Sequence, residues 1–361
     1  MRRRRLTGRR RLLLLLCLLL CFAACACLLT QFLLGRTLSS QQAAERWQGE
    51  SGTAFTQLSC FVPVDEKLSI EKIYQFRSDI VKGIQGAALD TDSDEKLYSD
   101  AWSCTGKALA ATDLGKGDAA VIAVGGNFFD FHPIRLLSGS YIRESDLMQD
   151  RVLLDEELAW LLFGGTELQG LQLKINGVPF VVAGVIEREQ DFASRRAYTS
   201  GMGLFMSYEA WRQLDPNAGI TSYELVLAEP VRNFAANLVR EKFPIGHGEI
   251  VLNTGRFAFG RLLLLLGQFG SRSMQKLGVL LPYWENAARC MEDYCSLLCF
   301  LTVFFALFPA IALVIMLLDL LRRGRNRLVD DVLPTWKDSA EEAVRVRRRR
   351  RWERKRGKHE A

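Results

Sequence analysis

Histidine is scarce in this chain, with three residues among 361, at positions 132, 247 and 359. His132 precedes Pro133 and His247 lies between two glycines, so both read as loop residues. None has Cys, His or Asp partners at the spacing a zinc site needs. A phosphate-binding Gly-x-x-x-x-Gly-Lys-Ser/Thr loop is also missing. Gly106-Lys107 and Gly115-Lys116 lack the second glycine and the hydroxyl residue that cradle phosphate and Mg²⁺, and they read as turn residues beside strands. Asp155, Glu156 and Glu157 look like a catalytic carboxylate group, but acids at the start of a helix are explained by its dipole. With no catalytic, cofactor-binding or metal-binding residues identified, the chain is expected not to be an enzyme and to need no cofactor.

Long apolar runs are equally few. Residues 12–35 form one uncharged run of 24 and residues 297–318 another of 22, and no third run is that long. Each matches the roughly 20 residues a helix needs to cross the hydrocarbon. The mean hydropathy of +0.04 conceals this segregation. Charge is segregated too. The first eleven residues carry seven Arg and no acid, and the stretch from Arg322 carries 15 Lys/Arg against 7 Asp/Glu, a net +8. With a total of +6 and Asp319 at the edge of the second run, the part between the runs is left at −8. Basic flanks at both outer ends predict cytoplasmic termini and an extracytoplasmic middle in a cell-membrane protein. A retained N-terminal anchor is expected over a signal peptide, because the apolar run exceeds the usual 7–15 residues and no clear small-residue cleavage site follows. The sequence Phe22-Ala-Ala-Cys25 only loosely resembles a lipoprotein box.

Of nine cysteines, Cys17, Cys21, Cys25, Cys27 and Cys299 fall in the apolar runs and read as packing residues. Cys60 and Cys104 stand alone in the outer part, where an oxidising compartment permits a disulfide between them; two buried thiols are the alternative. Cys290 and Cys295 are five apart and do not share a helical face.

Along the chain, residues 37–47 read as an outward continuation of the first membrane helix, ended at residues 49–52. Residues 55–64 read as a strand with Thr56, Leu58, Cys60 and Val62 on one face. Ser69 caps a helix with core positions Ile70, Ile73, Phe76, Ile80, Val81 and Ile84. A loop over 90–99 precedes strands at 102–112 and 119–124. The apolar cluster Phe128, Phe129, Phe131, Ile134, Leu136 and Leu137 reads as core beneath a loop. A strand at 152–154, a helix at 155–163 and strands at 171–175 and 180–186 follow, the last two joined by Asn176-Gly177, a type I′ turn signal. A strand or turn at 204–206, a helix at 208–214, a strand at 223–227, a helix at 231–242 and a strand at 250–252 complete the domain. Val231, Ala235, Leu238 and Val239 are the core positions of that last helix. Residues 257–275 are apolar but too interrupted to span and read as a stalk or interfacial helix. Tyr283 and Trp284 are placed in an interfacial belt before the second span, which Pro309 should kink.

Residues 121–187 resemble the periplasmic core domain of MacB-like ABC transporter permeases of the FtsX/MacB type. The resemblance is carried by the order and spacing of Leu158, Ala159, Phe163, Gly164, Gly170, Asn176, Gly177, Val182 and Gly184. It extends roughly over residues 55–252. It implies an α+β extracytoplasmic core domain, a strand-helix-strand base carrying a β-rich insertion, between two transmembrane helices. The organisation expected is a basic N-terminus at 1–11, a first transmembrane helix at 12–35 and a stalk at 36–54. The core domain covers 55–255, stalk or interfacial helices 256–293, the second transmembrane helix 294–321 and a basic tail 322–361. The family's permeases have three further spans after the domain, where this chain has one long run.

The resemblance implies a non-catalytic membrane subunit whose outer domain couples to or binds a partner or substrate and depends on a separate ABC ATPase. A polytopic permease or self-association must complete any pathway. A membrane-anchored sensor or scaffold signalling through its tail is the alternative. The basic run at 345–358 is expected to meet anionic lipid rather than nucleic acid.

Overall fold

The computed structural model describes residues 8–49, 52–66, 68–87, 97–198, 202–244, 246–268, 281–327 and 333–356. Most of the loop expected at 90–99, much of the apolar stretch 257–275, and His359 lie outside the described residues. The chain divides into two compact units, one of which is Leu29–Cys299 and the other the two terminal regions.

The terminal unit holds most of α1 (Gly8–Gly35), the later part of α10 (Tyr283–Arg327) and α11 (Leu333–Arg356). Helices α1 and α10 are each long and apolar enough to cross a membrane. Leu12, Phe22, Phe304 and Leu313 are among many large apolar side chains exposed on them, as helices surrounded by lipid would be. Pro309 lies inside α10, whose helical assignment runs through it.

In the other unit the chain does not continue helically out of α1. Thr37 Oγ1 donates back to Leu34 O (2.8 Å) and Gln42 Nε2 to Arg36 O (2.7 Å), closing a turn after Gly35. A short 3₁₀ turn (Ser39–Gln41) and α2 (Ala43–Gln48) follow. Leu38, Ala43 and Ala44 are buried. Residues 37–47 therefore lie against the domain instead of forming a projecting stalk, because three of their side chains have apolar surface to cover.

The base of the domain joins β1 (Phe55–Phe61), β2 (Tyr98–Ala111), β9 (Ser222–Ala228) and β10 (Glu249–Leu252) in the antiparallel order β10-β1-β9-β2. On one face lie α3 (Ile70–Gly86), through Ile73, Phe76, Ile80 and Ile84, and α8 (Phe234–Lys242), through Ala235, Ala236 and Val239. The Phe76 ring meets Tyr223 of β9 edge-on at 5.7 Å. Val81 and Val231, expected in the core, are exposed. Ile70, at the start of α3, is half-buried, and the other four positions of its 3.6-residue stripe bury as read from the period. All seven residues of β1 and of β9 are buried, because α2 and neighbouring segments cover the second face.

The insertion adds β3 (Lys116–Gly126), α4 (Phe128–Phe131), β4 (Leu136–Gly139), β5 (Arg151–Asp155), α5 (Glu156–Phe163), β6 (Gln172–Ile175), β7 (Val178–Ile186), α6 (Phe192–Ala197), β8 (Gly203–Ser207) and α7 (Tyr208–Leu214). Strand β6 pairs with both β7 and β2, so β2, β3, β8, β5, β7 and β6 close a circuit. Closing the circuit leaves no free edge among those six strands. The Asn176-Gly177 turn has positive φ at both residues, 49° and 86°, as the dipeptide predicts. Asn176 also fastens the turn to β2, its N–H donating to Leu109 O and its Oδ1 accepting from Leu109 N, both at 2.9 Å. Of the cluster expected as core beneath a loop, Phe128, Phe129 and Phe131 lie in α4, while Leu136 and Leu137 lie in β4, which pairs with β7.

The base and the insertion are thus one continuous sheet.

Candidate functional site

Strand alternation sends successive side chains of β1 to opposite faces. Leu58 and Cys60 join the apolar core, whereas Gln57 and Ser59 point the other way into a polar layer. Gln57 Oε1 accepts from Ala43 N (2.9 Å) and its Nε2 donates to Ser40 O (2.7 Å), so one buried amide fixes the segment after α1. Ser59 Oγ lies 3.2 Å from Glu224 Oε1 and 3.1 Å from Asn253 Oδ1. Its single proton serves one of them at a time.

From Asn253, Nδ2 donates to Gln41 Oε1 (2.8 Å), which also accepts from Arg256 Nη1 (3.2 Å). Arg256, 3% exposed, then meets two carboxylates. Its Nη1 and Nη2 donate to Glu285 at 2.7 and 2.8 Å, and its Nε and Nη2 to Glu292 at 2.6 and 3.1 Å. Glu285 also accepts from Arg289 Nε (2.8 Å), and Arg289 Nη2 reaches Glu249 at the start of β10 (2.7 Å). Burial presses the Arg256 guanidinium towards a lower pKa, but Glu285 and Glu292 reverse this and hold it above its ordinary value. A planar guanidinium donating in forks to two carboxylates is the arrangement that best offsets the cost of removing those charges from water.

Glu285, Arg289 and Glu292 recur at helical spacing on α10, and Cys295 and Cys299 continue the same buried stripe. Arg256 comes from the loop after β10. On the other side Gln31 Nε2 donates to Phe257 O (3.0 Å) and Ser296 Oγ to Leu262 O of α9 (Phe259–Leu266) at 2.7 Å. The junction therefore ties the end of α1, the exit from β10 and the first turns of α10 to the base sheet, all within Leu29–Cys299.

His132 extends this polar layer. Its Nε2 lies 2.5 Å from Glu224 Oε2, and its ring stacks on Phe128 at 4.4 Å and sits 4.6 Å from Trp284. Trp284 is buried, and Tyr283 stacks on Tyr198 at 4.3 Å. Both aromatics expected in an interfacial belt instead pack against the domain, because their apolar area finds aromatic partners there.

Cys60 and Cys104 are separate free thiols, on β1 and β2 with β9 between them. Two strand spacings place their Cα atoms roughly 10 Å or more apart, beyond the reach of a disulfide. Asp155 does more than balance a dipole. Its Oδ1 accepts from Leu158 N (2.8 Å) as the N-cap of α5, and its Oδ2 accepts from Arg188 and Gly203 N. Glu156 and Glu157 are exposed in the first turn. Gly106-Lys107 lies within β2 and Gly115-Lys116 at the turn into β3. His247 donates its backbone N–H to Glu66. Among the described residues no group of three or more His, Cys, Asp or Glu could hold a metal. Sequence reasoning passed over Arg256, Glu285, Arg289 and Glu292. The signal available was an i, i+4, i+7 series of charges in register with an apolar stripe.

Residues 68–237 match the family described as MacB-like periplasmic core domain. No curated protein matches the chain significantly. Similar solved structures include the following three, each at 14% identity. One is the periplasmic region of MacB from Actinobacillus actinomycetemcomitans, with a TM-score of 0.39 over 60% of this chain and 94% of that one. Another is the extracellular domain of the noncanonic ABC-type transporter YknZ from Gram-positive bacteria, at 0.34 over 52% and 92%. The third is a domain of a putative permease from Porphyromonas gingivalis, at 0.32 over 55% and 88%. The family match identifies residues 68–237 as a MacB-like periplasmic core domain, with a helix long and apolar enough to cross a membrane on either side of it in the sequence.

Proposed function

We propose that this protein is a non-catalytic membrane subunit related to MacB-like ABC transporter permeases, whose outer domain passes displacement between an extracytoplasmic partner or substrate and the membrane helices. The observation that supports this reading most is the double fork of Arg256 onto Glu285 and Glu292. A helix held to a domain by a buried, fully paired charge cluster moves with that domain or pays the cost of exposing unpaired charge. The two candidate spans among the described residues line no substantial pathway, so a separate ABC ATPase together with a polytopic permease, or self-association, completes the assembly. Both termini lie in the cytoplasm, where the basic tail meets anionic lipid.

The test is purification of the full chain from its own membranes in mild detergent. An ABC ATPase and a polytopic permease should accompany it, and Arg256→Leu should leave that association intact while reducing coupled ATP hydrolysis. A monodisperse chain with neither partner refutes the reading. The sensor alternative draws on the helical tail at Leu333–Arg356; it requires that removing residues 322–361 abolish function without preventing membrane insertion.

A further inference from the structure

Away from the polar junction, the domain contains a cavity of about 460 Å³ between one face of the strand circuit and the start of α10. That volume lies within the range of small-molecule sites, roughly 300–1,000 Å³. Ile122, Ile186, Phe205 and Pro282 give it apolar walls, and the stacked rings of Tyr198 and Tyr283 form another. The hydroxyls of both tyrosines are engaged by Glu189, so they offer the cavity ring surface.

Two polar features break this apolar surface. Asn286 donates its Nδ2 to Leu281 O (3.2 Å), while its Oδ1 is buried with no hydrogen-bond partner. A buried acceptor left unpaired costs about 1–3 kcal/mol, so a ligand N–H or O–H that meets Oδ1 as the Asn286 side chain turns towards the cavity offsets that cost. Lys107 stands exposed at the rim, with no ion pair to any described residue. Arg188, the other cation of the lining, is already held by Asp155 and Glu157. The charge left for a ligand is therefore positive.

We propose that this cavity binds a small amphipathic acid, a molecule with an apolar body, an amide or hydroxyl donor for Asn286 Oδ1 and an anionic end for Lys107. Neither a cationic amphiphile nor an apolar molecule without a donor satisfies both features. Because Tyr283 and Asn286 belong to the first turn of α10 and Pro282 immediately precedes it, an occupant bears directly on that helix.

The full chain in lipid nanodiscs is titrated with N-octanoylglycine, which carries all three elements, followed by saturation-transfer NMR against empty nanodiscs. Saturable binding is expected in excess of the empty discs, with octyltrimethylammonium failing to compete. Thr105→Trp, at an exposed β2 position lining the cavity, should abolish it. Lys107→Gln should weaken N-octanoylglycine about fivefold, the loss of a single solvent-accessible charge contact, and leave neutral N-octanoylglycinamide unchanged. No binding above empty discs, retention in the Thr105→Trp protein, or equal weakening of acid and amide by Lys107→Gln each overturns the proposal. Should the tryptophan variant misfold, the comparison of acid with amide in the Lys107→Gln protein decides alone.

Discussion

Arg256 and Glu285, 29 residues apart, face each other in a two-point contact, Nη1 to Oε2 at 2.7 Å and Nη2 to Oε1 at 2.8 Å, with both side chains almost wholly buried. Replacing Arg256 with Leu leaves Glu285 and Glu292 buried with one cation fewer between them. Removing one partner of such a pair typically costs about 3–5 kcal/mol. Urea unfolding of the full chain in micelles should show that loss. The triple variant R256M/E285L/E292L, in which Arg289 loses Glu285 but keeps its pairing with Glu249, should recover most of it.

Two glycines with similar backbone angles should respond differently to alanine. Gly139 has φ +81° and a Cβ there would lie 2.1 Å from Ala183 O, whereas Gly170 has φ +85° and open space around it. Gly170→Ala should cost roughly 1–2 kcal/mol, the left-handed backbone penalty. Gly139→Ala adds forced separation of β4 from β7 and should cost roughly 2–4 kcal/mol. Thermal unfolding midpoints of the two variants compare them directly.

Glu66 provides a pH-dependent contact. Its carboxylate accepts the N–H groups of His247 (2.7 Å) and Gly246 (3.0 Å), and these bonds hold its pKa below the ordinary 4.5. A carboxylate whose pKa is depressed by folding stabilises above the unfolded pKa, and that contribution is lost as pH falls through the folded value. The amide resonances of Gly246 and His247 should therefore titrate with a midpoint under 4.5, and Glu66→Gln should remove the titration. A midpoint above 4.5 would contradict the contact.

The thiols of Cys60 and Cys104 should stay unreacted in the folded chain. Burial raises both, with Glu224 adding to Cys60 and Asp215 to Cys104, the latter pushed up to about 12. Maleimide at pH 8 should label neither until denaturant is added. A Cys60–Cys104 linked peptide in a non-reducing digest would show that β9 does not separate them.

Local patterns in the sequence were reliable wherever one neighbour relation decides the structure. Asn176-Gly177 specifies its turn because only two residues must take positive φ. The α3 stripe Ile73, Phe76, Ile80 and Ile84 was legible because a helix has one period and one buried face. The same logic misplaced Val231 and Val81, exposed here, because hydrophobicity does not say where a covering element ends. It also extended α1 through residues 37–47, where helix propensity is good but burial of Leu38, Ala43 and Ala44 decides the path.

By itself, then, the sequence determined the two long apolar helices, the asymmetry of charge around them, and the order of strands and helices that marks a MacB-like core domain. Those features depend on composition and short-range spacing. Only the tertiary structure decided that Arg256 meets Glu285 and Glu292, that His132 meets Glu224, that β6 closes the strand circuit and that β9 parts Cys60 from Cys104. Each of these joins residues distant along the chain. Such pairings are set by which buried charges and strand edges must find partners once the core is packed; a charge series on an apolar stripe can mark the need, but no local pattern names the partner.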